Sequence, residues 1–180
     1  MTSLPSGRPE PGEYHADYEL YVSLVPHSNI VTSLMVQLDD TMNLLHTISA
    51  NQSSFRYAPG KWSIREVLGH IIDAERVFTY RALRFARADQ TPLAGFDQDE
   101  WMKYCNADSR TWGSLKEEYE LVRRATIALF SSFEAQTWLR RGMAWDRSFT
   151  VRGMGFITAG HELHHVSIIR SRYLTRHSAE

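Results

Sequence analysis

Four separated stretches of this chain place apolar residues three and four positions apart, and no convincing two-residue alternation occurs anywhere. A three-and-four step is the period of a helix with one buried stripe, whereas alternation marks a half-buried strand. The chain is therefore expected to be all-α, a helical bundle.

The stripes set the element boundaries. Tyr14 to Val25 can form a short helix, ended by Pro26 because the residue before a proline disfavours helical geometry. A longer helix starts near Ser28 and carries Val31, Leu34, Leu38, Met42, Leu45 and Ile48 until Asn51–Gly60 breaks it. The next opens on Ser63-Ile64-Arg65-Glu66, a capping box whose hydroxyl and carboxylate satisfy exposed backbone N–H groups. It is expected to reach about Arg87, with Ile64, Val67, Leu68, Ile71, Phe78 and Ala82 inside, His70 at the edge and Glu75 out of place among them. Residues 88–111, with Pro92, Gly95 and several acidic groups, read as a long connector with one helical turn near Glu100–Tyr104. Such a length suits either a crossover between parallel helices or a lid. Ser114-Leu115-Lys116-Glu117 reads as a second capping box, followed by Leu115, Tyr119, Val122, Thr126, Phe130 and Phe133. Residues 134–149 are irregular, and Thr150 caps a last helix reaching about Leu174.

At 180 residues the chain holds a single domain, expected over residues 13–180 behind a flexible leader at residues 1–12. A formal net charge of -1 disfavours nucleic acid and anionic membrane surfaces as partners, and leaves a small-molecule substrate as the expectation. Cys105 is the only cysteine, so an intrachain disulfide and a thiolate zinc site are both excluded, and a reducing cytoplasm is the expected setting. No stretch approaches the roughly 20 apolar residues of a membrane span.

Within the last helix, His161 and His165 stand four residues apart. Side chains at that spacing have Cβ atoms ~5–6 Å apart and can reach one metal ion from one face. With His161 at zero degrees, Met154, Ile157, His165 and Ile168 fall within about 40 degrees of it, so the histidines interrupt the buried stripe. Buried imidazoles among isoleucines need partners, which a metal would provide. The bland alternative is a pair of hydrogen-bonded core histidines. His164 points about 60 degrees to the other side, and spacing alone does not choose between it and His165. A third ligand has to come from a facing helix, where His70 is the best candidate and Asp73 is either an acceptor or a solvated charge. His15, His27, His46 and His177 fall outside any such stripe.

His161-Glu162-Leu163-His164-His165 also spells H-E-x-x-H, the metalloprotease signature. Only fifteen residues follow, the downstream glycine and histidine are missing, and no strands are expected, so a protease is disfavoured. Glu162 is kept as a flanking carboxylate and a candidate base.

Tyr57, Pro59, Gly60, Lys61, Trp62, Ser63, Ile64, Glu66, Val67, Leu68 and His70 stand in the order Tyr-x-Pro-Gly-Lys-Trp-Ser-Ile-x-Glu-Val-Leu-x-His. With residues 72–78, 81–83, 92–97 and 159–165, they make the chain resemble the DinB-like superfamily from about Val25 to Leu174. The resemblance implies a four-helix bundle with a long crossover between helices two and three. It also implies a metal held by His70, His161 and His165, choosing His165 over His164. Three imidazoles suit zinc or nickel and leave a coordination position for substrate or water.

Relatives of this kind include thiol S-transferases that use bacillithiol or mycothiol, and proteins labelled metal-dependent hydrolases. The leading expectation is therefore transfer of a low-molecular-weight thiol to an electrophile, with the two connectors shaping the pocket. The alternatives are hydrolysis of a small amide or ester, and a non-enzymatic metal-binding stress-response protein. A homodimer is expected, with no face assigned. The five tryptophans are expected to close the ends of the bundle, and Asp97, Asp99 and Glu100 to form a solvated run. Glu75 is expected to pair with Arg172.

Overall fold

The computed structural model describes residues 7–175. Four long helices carry the fold: α2 (Ile30–Thr47), α3 (Ile64–Ala86), α5 (Trp112–Ser131) and α6 (Val151–Ile168). Two short ones, α1 (Glu19–Leu24) and α4 (Gln98–Met102), flank them, and α6 continues as a π-helical turn over Ile169–Leu174. α3 packs on α5 and α6, α2 packs on the same two, and α1 lies along α6.

Side-chain pairs give the directions. Gln37 and Thr41 reach Ala159 and Glu162, so α2 and α6 run parallel. Ser63, the cap of α3, bonds Asp108 just ahead of α5, while Glu75 meets Arg123 near the middle of both, so α3 and α5 are parallel too. Parallel neighbours must be joined along the length of the bundle, which is why residues 87–111 are long. The connector is exposed for much of its course, with α4 capped by the Asp97 carboxylate.

Local chemistry explains most boundaries. Ser63 and Glu66 form the complete capping box, and Thr150 caps α6 by accepting from Gly153 N–H. The start of α5 differs from the expectation. Thr111 is its cap, accepting from Ser114 N–H, because Trp112 is buried and donates its indole N–H to Ile48 O at 2.9 Å. The helix is drawn back three residues by that anchor.

Residues 134–149 also correct the expectation of an irregular stretch without strands. β1 (Arg141–Ala144) and β2 (Arg147–Thr150) pair antiparallel as a hairpin. Trp145 and Asp146, at φ 52° and 57°, form its two-residue turn, the left-handed geometry that matches strand twist. Gly142 lets β1 lie against Phe85, whose ring a Cβ there would meet at 1.9 Å.

Of the expected leader, residues 1–6 lie outside the described residues. Arg8 donates to the carbonyls of Val22 and Val25, and Pro9 is buried. Buried Glu13 accepts from Thr150 Oγ1 and Arg152 Nε, tying this segment to the start of α6. No helix among the described residues is long and apolar enough to cross a membrane.

The α1–α6 contact has its own sequence requirement. A Cβ at Gly160 would sit 1.9 Å from the carbonyl oxygen of Tyr21, so only glycine lets α1 approach this closely. Gly160→Ala is expected to cost on the order of 1–3 kcal/mol in urea unfolding. Gly113→Ala, in the first turn of α5 where nothing lies within 4 Å, is expected to be neutral or to add up to about 1 kcal/mol.

Candidate metal centre

α3 and α6 cross where each offers imidazoles to the other. His70 Nε2 lies 3.0 Å from His161 Nε2, and the ligating atoms of His70, His161 and His165 all fall within 4.8 Å of one another. A tetrahedral zinc site at ~2.0–2.1 Å per nitrogen needs nitrogens roughly 3.4 Å apart, so small side-chain adjustments suffice for all three to share an ion. The donor set is all imidazole, which suits zinc, nickel, copper or iron rather than calcium or magnesium.

His164 is not part of this group. Its ring packs on Tyr21 and on His165, at centroid distances of 5.4 and 5.1 Å. His27 and His46 are exposed, His15 accepts from Asp17 N–H, and His177 lies outside the described residues. Asp73 faces Arg76 at 3.7 Å and is a half-exposed surface charge.

Burial keeps the three imidazoles neutral. It pulls His70 down to about 4 and, helped by the neighbouring histidines, His165 down to about 3; His161 is held well below its ordinary value by burial and then by His165 and His70. Unprotonated nitrogens are what a cation requires. Aromatic rings surround them: Tyr21 and Phe78 meet His161 edge-on at 5.4 Å each, and Trp62 packs on His70 at 5.0 Å.

Glu162 is held elsewhere. Its carboxylate accepts from Thr41 Oγ1 at 2.6 Å and from Tyr119 Oη, and pairs with Arg123 at 2.6 Å. Arg123 is fully buried and also forks onto Glu75, at 2.7 Å from Nη2, while donating to Gln37 Oε1. Burial opposes the guanidinium's charge, but Glu162 and Glu75 outweigh it and hold its pKa well above the ordinary value. This corrects the expected Glu75–Arg172 pair: α5, not the end of α6, faces Glu75, and Arg172 lies over the Tyr57 ring. Arg123 was detectable as a charge inside the stripe, between Tyr119 and Thr126.

A cavity of about 710 Å³ opens beside His70 and His161. It is lined by Tyr18, Tyr21 and Phe78, by Phe96 and Asp97 of the connector, by Trp145 at the hairpin tip and by Arg81. His165 lines a smaller cavity of about 240 Å³, with Trp62, Asp99 and Tyr173.

A family model described as the DinB superfamily matches residues 34–169. Among solved structures, the chain is similar to YfiT from Bacillus subtilis, described as a probable metal-dependent hydrolase with an unusual four-helix bundle topology. The TM-score is 0.67 at 16% identity, over 93% of each chain. It is also similar to YjoA, a DinB-like protein from Bacillus subtilis, with TM-score 0.57 at 19% identity over 78% of this chain and 86% of that one. At these identities the likeness shows the fold. No curated protein sequence matches the chain.

The neutral histidines link pH to stability. Between about pH 6.5 and pH 4 an unfolded His70 takes up a proton that the folded one refuses, so its contribution is intact above 6.5 and is lost as pH falls. Protein stripped of metal should therefore lose stability through this window, and His70→Asn should flatten the slope by about 1.4 kcal/mol per pH unit. Parallel curves in urea melts at several pH values would contradict a buried neutral His70.

Proposed function

The chain belongs to the DinB superfamily, and from that premise we propose a metal-dependent enzyme that transfers a low-molecular-weight thiol to a small electrophile. His70, His161 and His165 hold the ion, zinc or nickel, and the cavity beside them takes the electrophile. A divalent cation held there would act as a Lewis acid, lowering the pKa of a thiol or water that reaches it.

The observation that carries thiol transfer over hydrolysis is that Asp97, the carboxylate lining the large cavity beside His70 and His161, has an oxygen committed to backbone amides, while Glu162 is turned away into the interior. Glu162 is bound to Thr41, Tyr119 and Arg123, and Asp97 accepts from the Asp99 and Glu100 amides. Activating water calls for a group that accepts its proton at the reacting oxygen. A thiol, with an ordinary pKa near ~8.5, ionises far more readily and is itself the nucleophile once deprotonated. The chain's own contribution is thus to keep three imidazoles unprotonated, to leave room for a further ligand, and to enclose an apolar electrophile between Tyr21, Phe78, Phe96 and Trp145.

A second reading, hydrolysis of a small amide or ester, is favoured by the description of YfiT. The two separate in one assay series. Metal-loaded protein should conjugate monobromobimane or a chloronitrobenzene with bacillithiol, mycothiol or glutathione, and alanine at any of the three histidines should lower the rate by about 100-fold or more, beyond the 10- to 100-fold typical of residues behind the ligands. Ester or amide turnover without conjugation would establish the hydrolase instead. Bound metal with neither activity would leave a metal-binding protein.

A further inference from the structure

Among the described residues only two arginines are buried, Arg81 and Arg123, and they are treated oppositely. Arg123 is met by two carboxylates. Arg81, 4% exposed, is met by none: its Nη2 donates to Ala94 O at 2.9 Å, and its guanidinium lies 5.8 Å from the Phe96 ring centroid. Tyr18 lines the same cavity and is the other side chain that acts on Arg81. Asp97, which lines the same cavity, forms no ion pair with it, and its Oδ1 accepts from two backbone amides.

A guanidinium has five N–H donors in a planar fork, and one bond to a carbonyl leaves most of them unused. Burying such a charge without a counter-ion is costly, and structural arginines are ordinarily paired. Several half-exposed and surface arginines find carboxylates, Arg152 with Glu13, Arg84 with Asp89 and Arg110 with Glu118, while the others that lack one, such as Arg65, Arg140 and Arg141, are not fully buried and donate to backbone carbonyls. Arg81 is the one held in the wall of the large cavity instead.

We infer that Arg81 is the anchor for a carboxylate on a molecule bound in this cavity. Arg81 follows His70 by eleven residues, three turns on the same face of α3 and ~16 Å along its axis, and both line the same space. The ligand is therefore elongated, with an acid group at the Arg81 end, an apolar middle against Phe78, Phe96 and Trp145, and its reacting atom several bonds away beside the histidines. A cavity of about 710 Å³ accommodates a molecule of that size. Its role as a substrate anchor rests on the transferase reading; the preference for an acid does not, and binding measures it alone.

The test is calorimetric titration of metal-loaded protein with two matched pairs: 4-phenylbutyrate against its amide, and N-acetylcysteine against its amide. At least one acid should bind about 10- to 100-fold tighter than its amide, the range for charge-assisted hydrogen bonds, and Arg81→Met should abolish that difference. A preference confined to the aromatic pair assigns the carboxylate to the electrophile, and one confined to the thiol pair assigns it to the thiol; both uphold the anchor. Because Arg81→Met could unfold the chain, Arg81→Lys is measured beside it, with an expected loss of about 3- to 10-fold for the missing fork. NMR of wild-type protein adds a readout without mutation: the Arg81 Nε–H resonance should shift with the acid and not with the amide. Equal binding of acid and amide by wild type, or a preference that persists in Arg81→Met through the histidine centre, overturns the inference. Loss of thiol-transfer activity in every assay with the Arg81-dependent preference intact would remove the transferase reading and leave the anion site standing.

Discussion

Arg123 ties together the four long helices. From α5 it reaches Glu75 of α3, Glu162 of α6 and Gln37 of α2, and Thr41 and Tyr119 both donate to Oε1 of Glu162. Hydrophobic contact alone tolerates sliding, because apolar side chains pack acceptably in several registers. A buried ionic knot does not, since displacing one partner strands a charge at a cost of about 3–5 kcal/mol. The knot lies between two apolar clusters, one around Phe85, Phe130 and Phe156, the other around Leu45, Leu68 and Leu115. Replacing such a knot by apolar side chains of equal volume is often neutral or stabilising; what its geometry specifies is register.

That register is what the histidines need. Glu162 follows His161 directly, and Glu75 lies five residues beyond His70. Fixing the two carboxylates on one guanidinium fixes the height of α3 against α6, and with it the meeting of His70 and His161 at 3.0 Å. The same helix thus presents two chemistries. One face of α6 places neutral nitrogens beside a cavity, while the adjacent position turns its carboxylate into the interior.

Much of this was legible in the sequence because it is local. Helix period, the Ser63–Glu66 box, the Thr150 cap and the i, i+4 histidines depend on neighbours a few residues away. What was missed depends on which helices touch. The partner of Glu75 could be assigned only once α5, rather than the end of α6, was known to face it. Helix spacing left His164 and His165 open and only the family resemblance chose between them; in the structure it is His165 whose ring nitrogen lies with those of His70 and His161. The hairpin escaped because its strands are four residues long and its turn uses Trp145 and Asp146 rather than the usual Asn-Gly pair. Arg81 and Arg123 were both readable as charges on apolar arcs, at positions set by His70 and Tyr119. Only the structure separates them, one paired and one facing a cavity.

The central claim is that imidazoles from two helices grip a single cation. Anomalous diffraction from crystals of protein purified without an affinity tag tests it directly. One peak is expected about 2.0–2.2 Å from a nitrogen of each of His70, His161 and His165, with a further position open toward the large cavity. A peak ligated through His164, or metal bound only at sites away from His70, would contradict it.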